Sequence, residues 1–317
     1  MRTLFFLSIV FTLSVAYCLA QESYIVVERY SKKVLLASGT EYKRPVASLA
    51  HMLTAKVVLD WAKVAGVSSS TRITVPRHTF DRQGLNPLNL QAGDQLSVRD
   101  ALYATILSED AVSSYTLAHH VGMDLLARRR LAGAPVDLFV SEMNNLARSL
   151  GMGRTSISSP VGADLWQKNN YSTASDLARL SVNLVHDNAY GFYAKQKQRN
   201  LSVLRADGRM AQVAVINSNK LLSKGLKVEG LKSGFSQQAG HCVSISVDHE
   251  SYLENLADGR QRVTPVQLIV IVLGSSDAQG LAQRLIPQGW SHYENWRNSG
   301  YMASPNRREF LKVSAAN

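Results

Sequence analysis

The stretch that decides the fold reads Pro45-Val46-Ala47-Ser48-Leu49-Ala50-His51-Met52-Leu53-Thr54-Ala55. It predicts an extended segment that runs into an amphipathic helix over residues 48–65, which Gly66 ends. Ser48 and His51 are three residues apart, so they share one helix face and their side chains can meet. A serine hydroxyl is a poor nucleophile until a nearby base takes its proton. Alone, this spacing is not specific, because chance supplies several Ser-x-x-His matches. Ser48 and His51 become candidate catalytic residues only together with the motifs described below.

The elements on either side of this helix predict a mixed fold. Short apolar runs at 24–27 and 34–37 surround a turn and indicate a β-hairpin. Helical periodicity dominates the middle of the chain, and alternating apolar residues return in the last third. This order indicates an α+β fold: one antiparallel sheet covered by helices, with its first and last strands adjacent. The further expected helices are 97–107, 111–126, 136–150, 172–186 and 277–285, and the further expected strands are 72–75, 213–216, 242–247 and 266–273.

The first twenty residues have the pattern of a secretory signal peptide. Arg2 is followed by an apolar run over 4–20 and by a small residue before Gln21. The run is slightly shorter than the roughly 20 residues that span a bilayer, and a retained signal anchor is the alternative. We therefore expect a signal peptide at 1–20, a folded domain at 21–296 and a basic, poorly ordered tail at 297–317. The mature protein is expected in the periplasm or cell envelope.

The composition indicates a globular protein with a basic surface. The 317 residues are 45% hydrophobic and 19% charged, and the formal net charge is +11. In an exported chain this charge indicates solubility in the first place, with weak association with an anionic envelope surface as the alternative. We expect no nucleic-acid partner.

The cysteine and histidine content predicts neither a disulfide nor a metal site. Cys18 leaves with the signal peptide, so Cys242 has no partner for an internal disulfide and is expected to be a buried, inert thiol. No His-Glu-x-x-His motif is present, which argues against a zinc peptidase. We expect no metal and no organic cofactor.

Two further triplets follow the serine helix in the sequence. Ser108-Glu109-Asp110 lies at the end of an apolar helical pattern, and Lys232-Ser233-Gly234 follows a short segment that ends in Leu231. Together with Ser48 and His51 they resemble the three motifs of the serine penicillin-binding proteins, Ser-x-x-Lys, Ser-x-Asn and Lys-Thr-Gly.

The resemblance extends over residues 23–296 and points to the D-alanyl-D-alanine carboxypeptidases of low molecular mass. It implies the fold shared by penicillin-binding proteins and serine β-lactamases, so that 21–296 would be a DD-peptidase-like catalytic domain. The segments that match this family in order are 24–27, 44–48, 92–96, 150–155, 170–174 and 228–235.

The family implies an acyl-enzyme mechanism on peptidoglycan stem peptides. Ser48 would attack the D-Ala-D-Ala carbonyl, and the backbone N–H groups of Ser48 and Phe235 would stabilise the oxyanion. Ser108 would relay protons to the leaving amine. β-Lactams would acylate Ser48, because they resemble the same dipeptide.

The third motif would bind the end of the substrate. Lys232 and Ser233 would hold the terminal carboxylate, while Gly234 would let the substrate backbone lie against the strand. Phe235 and Trp166 could line the groove, although packing in the core is the expected role of both.

Two positions depart from the family pattern, because His51 replaces the motif lysine and Asp110 replaces the motif asparagine. We hypothesise that Asp110 accepts a hydrogen bond from His51, which would create a Ser48–His51–Asp110 arrangement like a serine-hydrolase triad. Activity would then fall on the acid side, somewhat above pH 6.5, as His51 becomes protonated.

Two alternatives to this peptidase remain. The same substitutions are expected in a pseudoenzyme that has lost catalysis and only binds peptidoglycan peptides through Lys232 and Ser233. A β-lactamase is the least favoured activity, because the loop over 158–170 offers only Asp164 as a deacylating carboxylate.

Overall fold

The computed structural model of the chain describes residues 22–81, 84–162, 169–302 and 309–313. The signal peptide predicted at 1–20, Asp164 and Trp166 lie outside these ranges. The strands are β1 (Ser23–Glu28), β2 (Val34–Ser38), β3 (Arg44–Pro45), β4 (Arg72–Thr74), β5 (Gln95–Ser97), β6 (Tyr171–Ser172), β7 (Gln198–Leu204), β8 (Met210–Ile216), β9 (Lys232–Ser236), β10 (Gly240–Asp248), β11 (Tyr252–Asn255), β12 (Gln261–Thr264) and β13 (Gln267–Ser275). The α-helices are α1 (His51–Ala65), α2 (Val98–Ser108), α3 (Ala111–Arg129), α4 (Pro135–Ser149), α5 (Ala174–His186), α6 (Asn188–Ala194) and α7 (Ala278–Asn298).

The main sheet joins the two ends of the chain. Its strand order is β2-β1-β13-β10-β9, and β1 pairs with β13 in an antiparallel register that places Val26 opposite Val270. This confirms the predicted α+β fold with adjacent first and last strands. Strand β9, which carries Lys232, forms one edge of this sheet, and β2 forms the other.

The side-chain alternation of β1 divides the interior into two cores. Ile25 and Val27 pack on the face covered by α5 and belong to the larger core, while Val26 packs on the face covered by α7. Successive residues of a strand point to opposite faces, so a continuous apolar strand requires helices on both sides. None of the helices in the described ranges is both long and apolar enough to cross a bilayer.

Helix α7 extends further than the sequence predicted, to Asn298 rather than to residue 285. Pro287 lies within it, yet buried residues such as Ile286 and Tyr293 continue the apolar face toward the sheet. Gly289 permits the close contact, because a Cβ there would lie 2.9 Å from Cγ1 of Val26. Packing of the apolar face thus outweighs the helix-breaking tendency of proline.

A second sheet, with strand order β4-β5-β7-β8, was predicted only in part. Strand β7 was not expected, because its first three residues are polar and give no alternating pattern. Antiparallel pairing with β8 along its whole length, with Leu201 opposite Val213, stabilises it.

Residues 309–313, within the tail predicted at 297–317, contact the edge of the main sheet. Glu309 and Leu311 exchange backbone hydrogen bonds of 2.8 Å with Val34 and Lys32, and Lys33 forms an ion pair with Glu309. Leu311 is buried in the larger core. An edge strand leaves N–H and C=O groups unpaired, and Glu309 accepts a hydrogen bond from the first of those in β2, the Val34 N–H.

Replacing Leu311 by alanine tests this contact. We expect Leu311→Ala to lower the free energy of unfolding by about 2 kcal/mol, because a buried leucine is truncated. The neighbouring Lys312→Ala serves as the control, since the Lys312 side chain is exposed, and should change stability by less than about 0.5 kcal/mol. Urea denaturation of both variants measures the difference, and equal effects would show that the tail does not contribute to the folded domain.

Candidate active site

Ser48 lies in a 3-10 turn, Ala47–Ala50, that leads directly into α1. The preceding residue, Ala47, has a φ of 45°, a left-handed conformation that is unfavourable for any residue with a Cβ. The strand before it is fixed by the pairing of β3 with β6 and by a hydrogen bond from the Val46 N–H to the Asn170 carbonyl. Strain of this kind persists only where surrounding structure enforces it, and here it orients the serine.

The backbone of Ser48 is packed between two glycines. A Cβ at Gly162 would lie 2.3 Å from Ser48 Cα, and a Cβ at Gly234 would lie 2.7 Å from Ser48 N. Real Cβ atoms do not approach backbone so closely. Glycine at both positions therefore brings the 158–162 loop and strand β9 against the candidate nucleophile.

His51 is fully buried directly behind this serine. Its Nε2 accepts a hydrogen bond of 3.2 Å from the Gly162 N–H, so the ring is neutral and carries its proton on Nδ1. Burial and the nearby charge of Lys232 lower the pKa of His51 to about 3, and the Thr105 backbone opposes this shift only weakly. Among the described residues Nδ1 makes no hydrogen bond of normal geometry, and its nearest acceptor is in the Thr105 backbone. A ring whose lone pair is already engaged is a poor base for Ser48 at neutral pH.

Asp110 does not contact His51, so the predicted triad is not formed. Its side chain caps α3, where Oδ1 accepts a hydrogen bond of 2.6 Å from the Ser113 N–H and Oδ2 accepts one of 3.4 Å from the Leu88 N–H. Burial raises the pKa of Asp110, and these hydrogen bonds lower it in part. The first turn of a helix has unpaired N–H groups that an N-cap carboxylate satisfies, and this requirement determines where Asp110 points.

The residues around Asp110 complete the second motif. Ser108 ends α2 and its Oγ donates to the Ala104 carbonyl at 2.9 Å. Glu109 follows in a left-handed conformation, with a φ of 61°. The Glu109 side chain is largely buried, and its Oε1 lies 3.8 Å from Lys232 Nζ. Sequence reasoning missed this ion pair, since the middle residue of the motif had no assigned role.

The third motif lies on edge strand β9, as the resemblance implied. Burial lowers the pKa of Lys232, and Glu109 raises it in part. Lys232 Nζ also donates to the Ser233 carbonyl at 2.9 Å, while Ser233 Oγ lies 2.7 Å from Ser218 Oγ. Phe235 is 52% exposed, with its ring 4.5 Å from that of His241, so the expected core role of Phe235 was wrong.

Asn170 holds the loop that carries Gly162. Its Oδ1 accepts hydrogen bonds from the Ser158 and Ser159 N–H groups, and its Nδ2 donates to the Ser159 and Val161 carbonyls. The side chain is 5% exposed. Asn170 was noted only as the start of a matching segment, and its function as a positioning residue could not be read from spacing.

The site therefore brings together Ser48, His51, Lys232 and Gly234, with Ser108 and Glu109 at the end of α2. Asp110 is turned toward α3. In the described ranges no group of three or more histidine, cysteine or acidic side chains could hold a metal ion. What the arrangement offers chemically is a serine hydroxyl beside a strand edge and a buried amine.

Comparison with known proteins identifies the family. A model described as D-alanyl-D-alanine carboxypeptidase matches residues 11–253, which is most of the chain. The chain belongs to the D-alanyl-D-alanine carboxypeptidase family. It is 23% identical over 284 residues to the carboxypeptidase DacA of Haemophilus influenzae and 28% identical over 230 residues to the D-alanyl-D-alanine endopeptidase of Pseudomonas aeruginosa. These alignments cover 87% and 71% of this chain but 63% and 66% of the relatives, so the chain spans slightly less than two thirds of either.

Solved structures of this family share the fold. The DD-transpeptidase of Streptomyces K15 superimposes with a TM-score of 0.65 at 22% identity, covering 88% of this chain and 95% of that protein. Penicillin-binding protein D2 of Listeria monocytogenes, in its ampicillin-bound form, gives a TM-score of 0.61 at 22% identity, covering 88% of this chain and 96% of that protein. The predicted penicillin-binding-protein fold is thus confirmed.

A substitution at Gly162 tests the packing around Ser48. We expect Gly162→Ala to lower the free energy of unfolding by roughly 3 kcal/mol, because the new methyl group meets backbone that cannot move aside. Gly153→Ala is the matched control, since a Cβ there meets nothing within 4 Å, and should be neutral. Thermal and urea unfolding measure both variants, and a fully stable Gly162→Ala protein would contradict the described contact.

The buried state of His51 predicts a pH dependence of stability. Its pKa in the folded protein, about 3, lies below the ordinary value of 6.5, so the unfolded state binds the proton more tightly. This contribution is fully present above pH 6.5 and is lost as the pH falls toward 3.

His51→Gln removes the titrating ring but keeps an acceptor for the Gly162 N–H. We expect the stability difference between wild type and this variant to shrink by roughly 2–3 kcal/mol between pH 7 and pH 4.5. Urea denaturation across this range measures it. A difference that does not change with pH would show that His51 is not held neutral by burial.

Proposed function

We propose that this protein is an exported serine-type D-alanyl-D-alanine peptidase that acts on peptidoglycan stem peptides through an acyl-enzyme on Ser48. The observation that carries the proposal is the close packing of Gly234, on edge strand β9, against the backbone of Ser48. This packing brings the nucleophile beside the strand edge that a peptide can extend. Export is supported by the sequence of residues 1–20, and cleavage before Gln21 is part of the proposal.

The substrate would bind as an additional strand along the free edge of β9. Main-chain hydrogen bonds along a strand edge give affinity to an extended peptide. Ser48 Oγ attacks the carbonyl carbon of the penultimate D-alanine, and the N–H groups of Ser48 and Phe235 donate to the developing oxyanion. The bond to the leaving nitrogen then breaks, and water hydrolyses the ester on Ser48.

The proton of Ser48 needs a route that does not use Nε2 of His51. That lone pair already accepts the Gly162 N–H, and the low pKa of His51 makes it a weak base. Lys232 is the buried amine of the site. It rests as an ammonium paired with Glu109, and burial lowers its pKa so that a neutral fraction is available to act as a base. We infer that Lys232 takes the proton and that Ser108 relays it to the leaving amine. The loss of activity at acid pH, first ascribed to protonation of His51, would then result from protonation of Lys232.

A second function, binding without catalysis, is favoured by the same histidine. If Lys232 stays protonated, no described group beside Ser48 can accept its proton, and the acylation step is lost. The strand edge and Ser233 would still bind stem peptides. The two functions differ in one measurable property, which is whether Ser48 forms an ester.

Intact-mass analysis of the protein from Gln21 onward tests the proposal. The protein is incubated with penicillin and, separately, with an N-acyl-D-alanine ethyl thioester, whose ethanethiol leaving group bears no carboxylate. We expect a single adduct from at least one reagent, because Ser48 lies beside the strand edge that binds both. Ser48→Ala should abolish the adduct.

Ser113→Ala is the control for this measurement. Ser113 is another buried serine in the first turn of a helix, and its replacement should leave the adduct in place. Absence of an adduct from both reagents between pH 5.5 and 9 would contradict the peptidase proposal and favour the binding function.

A further inference from the structure

We propose that Glu109 sets the substrate specificity of this site by neutralising Lys232. The preferred substrate would be a peptide whose leaving amine bears no carboxylate on the adjacent carbon. The inference rests on the proposed function for the class of substrate, a stem peptide cleaved after D-alanine. The inference concerns Glu109 rather than the nucleophile Ser48, and it predicts the preference in substrate binding as well as in cleavage.

The ion pair between Glu109 and Lys232 is buried. Glu109 Oε1 lies 3.8 Å from Lys232 Nζ, and the two side chains are 9% and 0% exposed respectively. Charges shielded from water interact more strongly than the same charges on a surface. Both charges therefore contribute strongly to the electrostatic potential at the site.

The backbone conformation of Glu109 is energetically unfavourable for a residue with a side chain. The residue has a φ of 61° and ends α2, with its N–H donating to the Ala104 carbonyl. This left-handed conformation favours glycine and is unfavourable for a side chain such as glutamate. A carboxylate is thus kept beside Lys232 at a position where glycine would relieve the backbone.

Other charged or titratable groups nearby do not alter this balance. Within the described ranges, Glu109 is the one acidic side chain in ion-pair contact with Lys232. The remaining hydrogen bond of Nζ goes to the Ser233 carbonyl, which is uncharged. Asp110 faces the first turn of α3, and His51 is neutral. The positive charge that a substrate carboxylate would need is already matched.

The short distance between Glu109 and Lys232 determines how the site interacts with a substrate carboxylate. A terminal carboxylate that approaches Lys232 must also approach Glu109, so repulsion offsets the attraction. A carboxamide in the same place carries no charge, and its N–H groups can donate to Glu109. An unsubstituted alkyl amine, such as a lysine side chain in a cross-linked peptide, avoids the repulsion as well. The leaving groups selected are therefore amidated residues and simple alkyl amines.

Two peptides that differ in one group test the inference. They are diacetyl-L-lysyl-D-alanyl-D-alanine with a free carboxylate and the same peptide with a terminal carboxamide. We expect the wild-type protein to have a kcat/KM about tenfold higher for the carboxamide. Glu109→Gln should lower this carboxamide-to-carboxylate ratio about tenfold, because the repulsive charge is removed.

Glu109→Gly is the second variant, since Glu109→Gln leaves a buried ammonium group without its partner and can destabilise the protein. Glycine suits the left-handed backbone and should shift the ratio in the same direction. Asp100→Asn is the matched control, because it removes a carboxylate at the other end of α2. It should leave the ratio within about twofold.

Binding to Ser48→Ala proteins separates specificity from catalysis. Titration calorimetry with both peptides should give tighter binding of the carboxamide to Ser48→Ala, and a reversed or equal preference in Ser48→Ala combined with Glu109→Gln. A shift in binding without cleavage by any Ser48-containing protein would refute the peptidase function and retain this inference. Three results would overturn the inference: a wild-type kcat/KM for the carboxylate peptide that equals or exceeds that for the carboxamide, an unchanged ratio in both Glu109 variants, or no binding of either peptide.

Discussion

The approach of strand β9 to the backbone of Ser48 is the contact on which the site depends. It requires glycine at 162 and at 234, because any side chain would meet the serine backbone from either side. It also requires the loop held by Asn170 and the strained turn at Ala47. Main-chain packing of this kind does not depend on which base accompanies the serine. The architecture of the site is therefore compatible with a histidine at position 51.

The histidine at position 51 has an electrostatic consequence for the whole cluster. A buried ring with a low pKa carries no charge, so the cationic character of the site rests on Lys232 alone among the buried residues described around Ser48. Glu109 then supplies the matching negative charge. Compared with a site that contains two buried lysines, this cluster is closer to neutrality and less costly to bury. The neutral His51 and the charged Glu109 thus both affect Lys232, without an ion pair between them.

Local signals in the sequence predicted those parts of the structure that depend on local physics. Gly66 ends α1 in a left-handed conformation, as its position indicated, and Ser97 caps α2 by accepting a hydrogen bond from the Asp100 N–H. The adjacency of the first and last strands also followed from the order of the elements. Strand β7 was missed because pairing with β8, rather than its own apolar pattern, stabilises it.

The site was predicted less completely, since its decisive contacts join residues that are far apart in the chain. The family motifs indicated that Ser48 lies near the strand that carries Lys232. No spacing reveals that Gly162 engages His51 or that Glu109 faces Lys232. For Asp110, by contrast, the sequence carried a correct local signal that was not used. Its position just before α3 indicated an N-cap, a local role that the comparison with serine-hydrolase triads obscured.

The pairing of β1 with β13 has a consequence for the order in which the protein can fold. The central strands of the main sheet include residues near 25 and residues near 270, so the sheet cannot close until nearly all of the chain has been synthesised. Contacts between such distant segments form slowly, since a long loop must be closed before they are gained. A nascent chain of this topology stays open for most of its synthesis, which is the state in which a polypeptide can be threaded through a narrow channel.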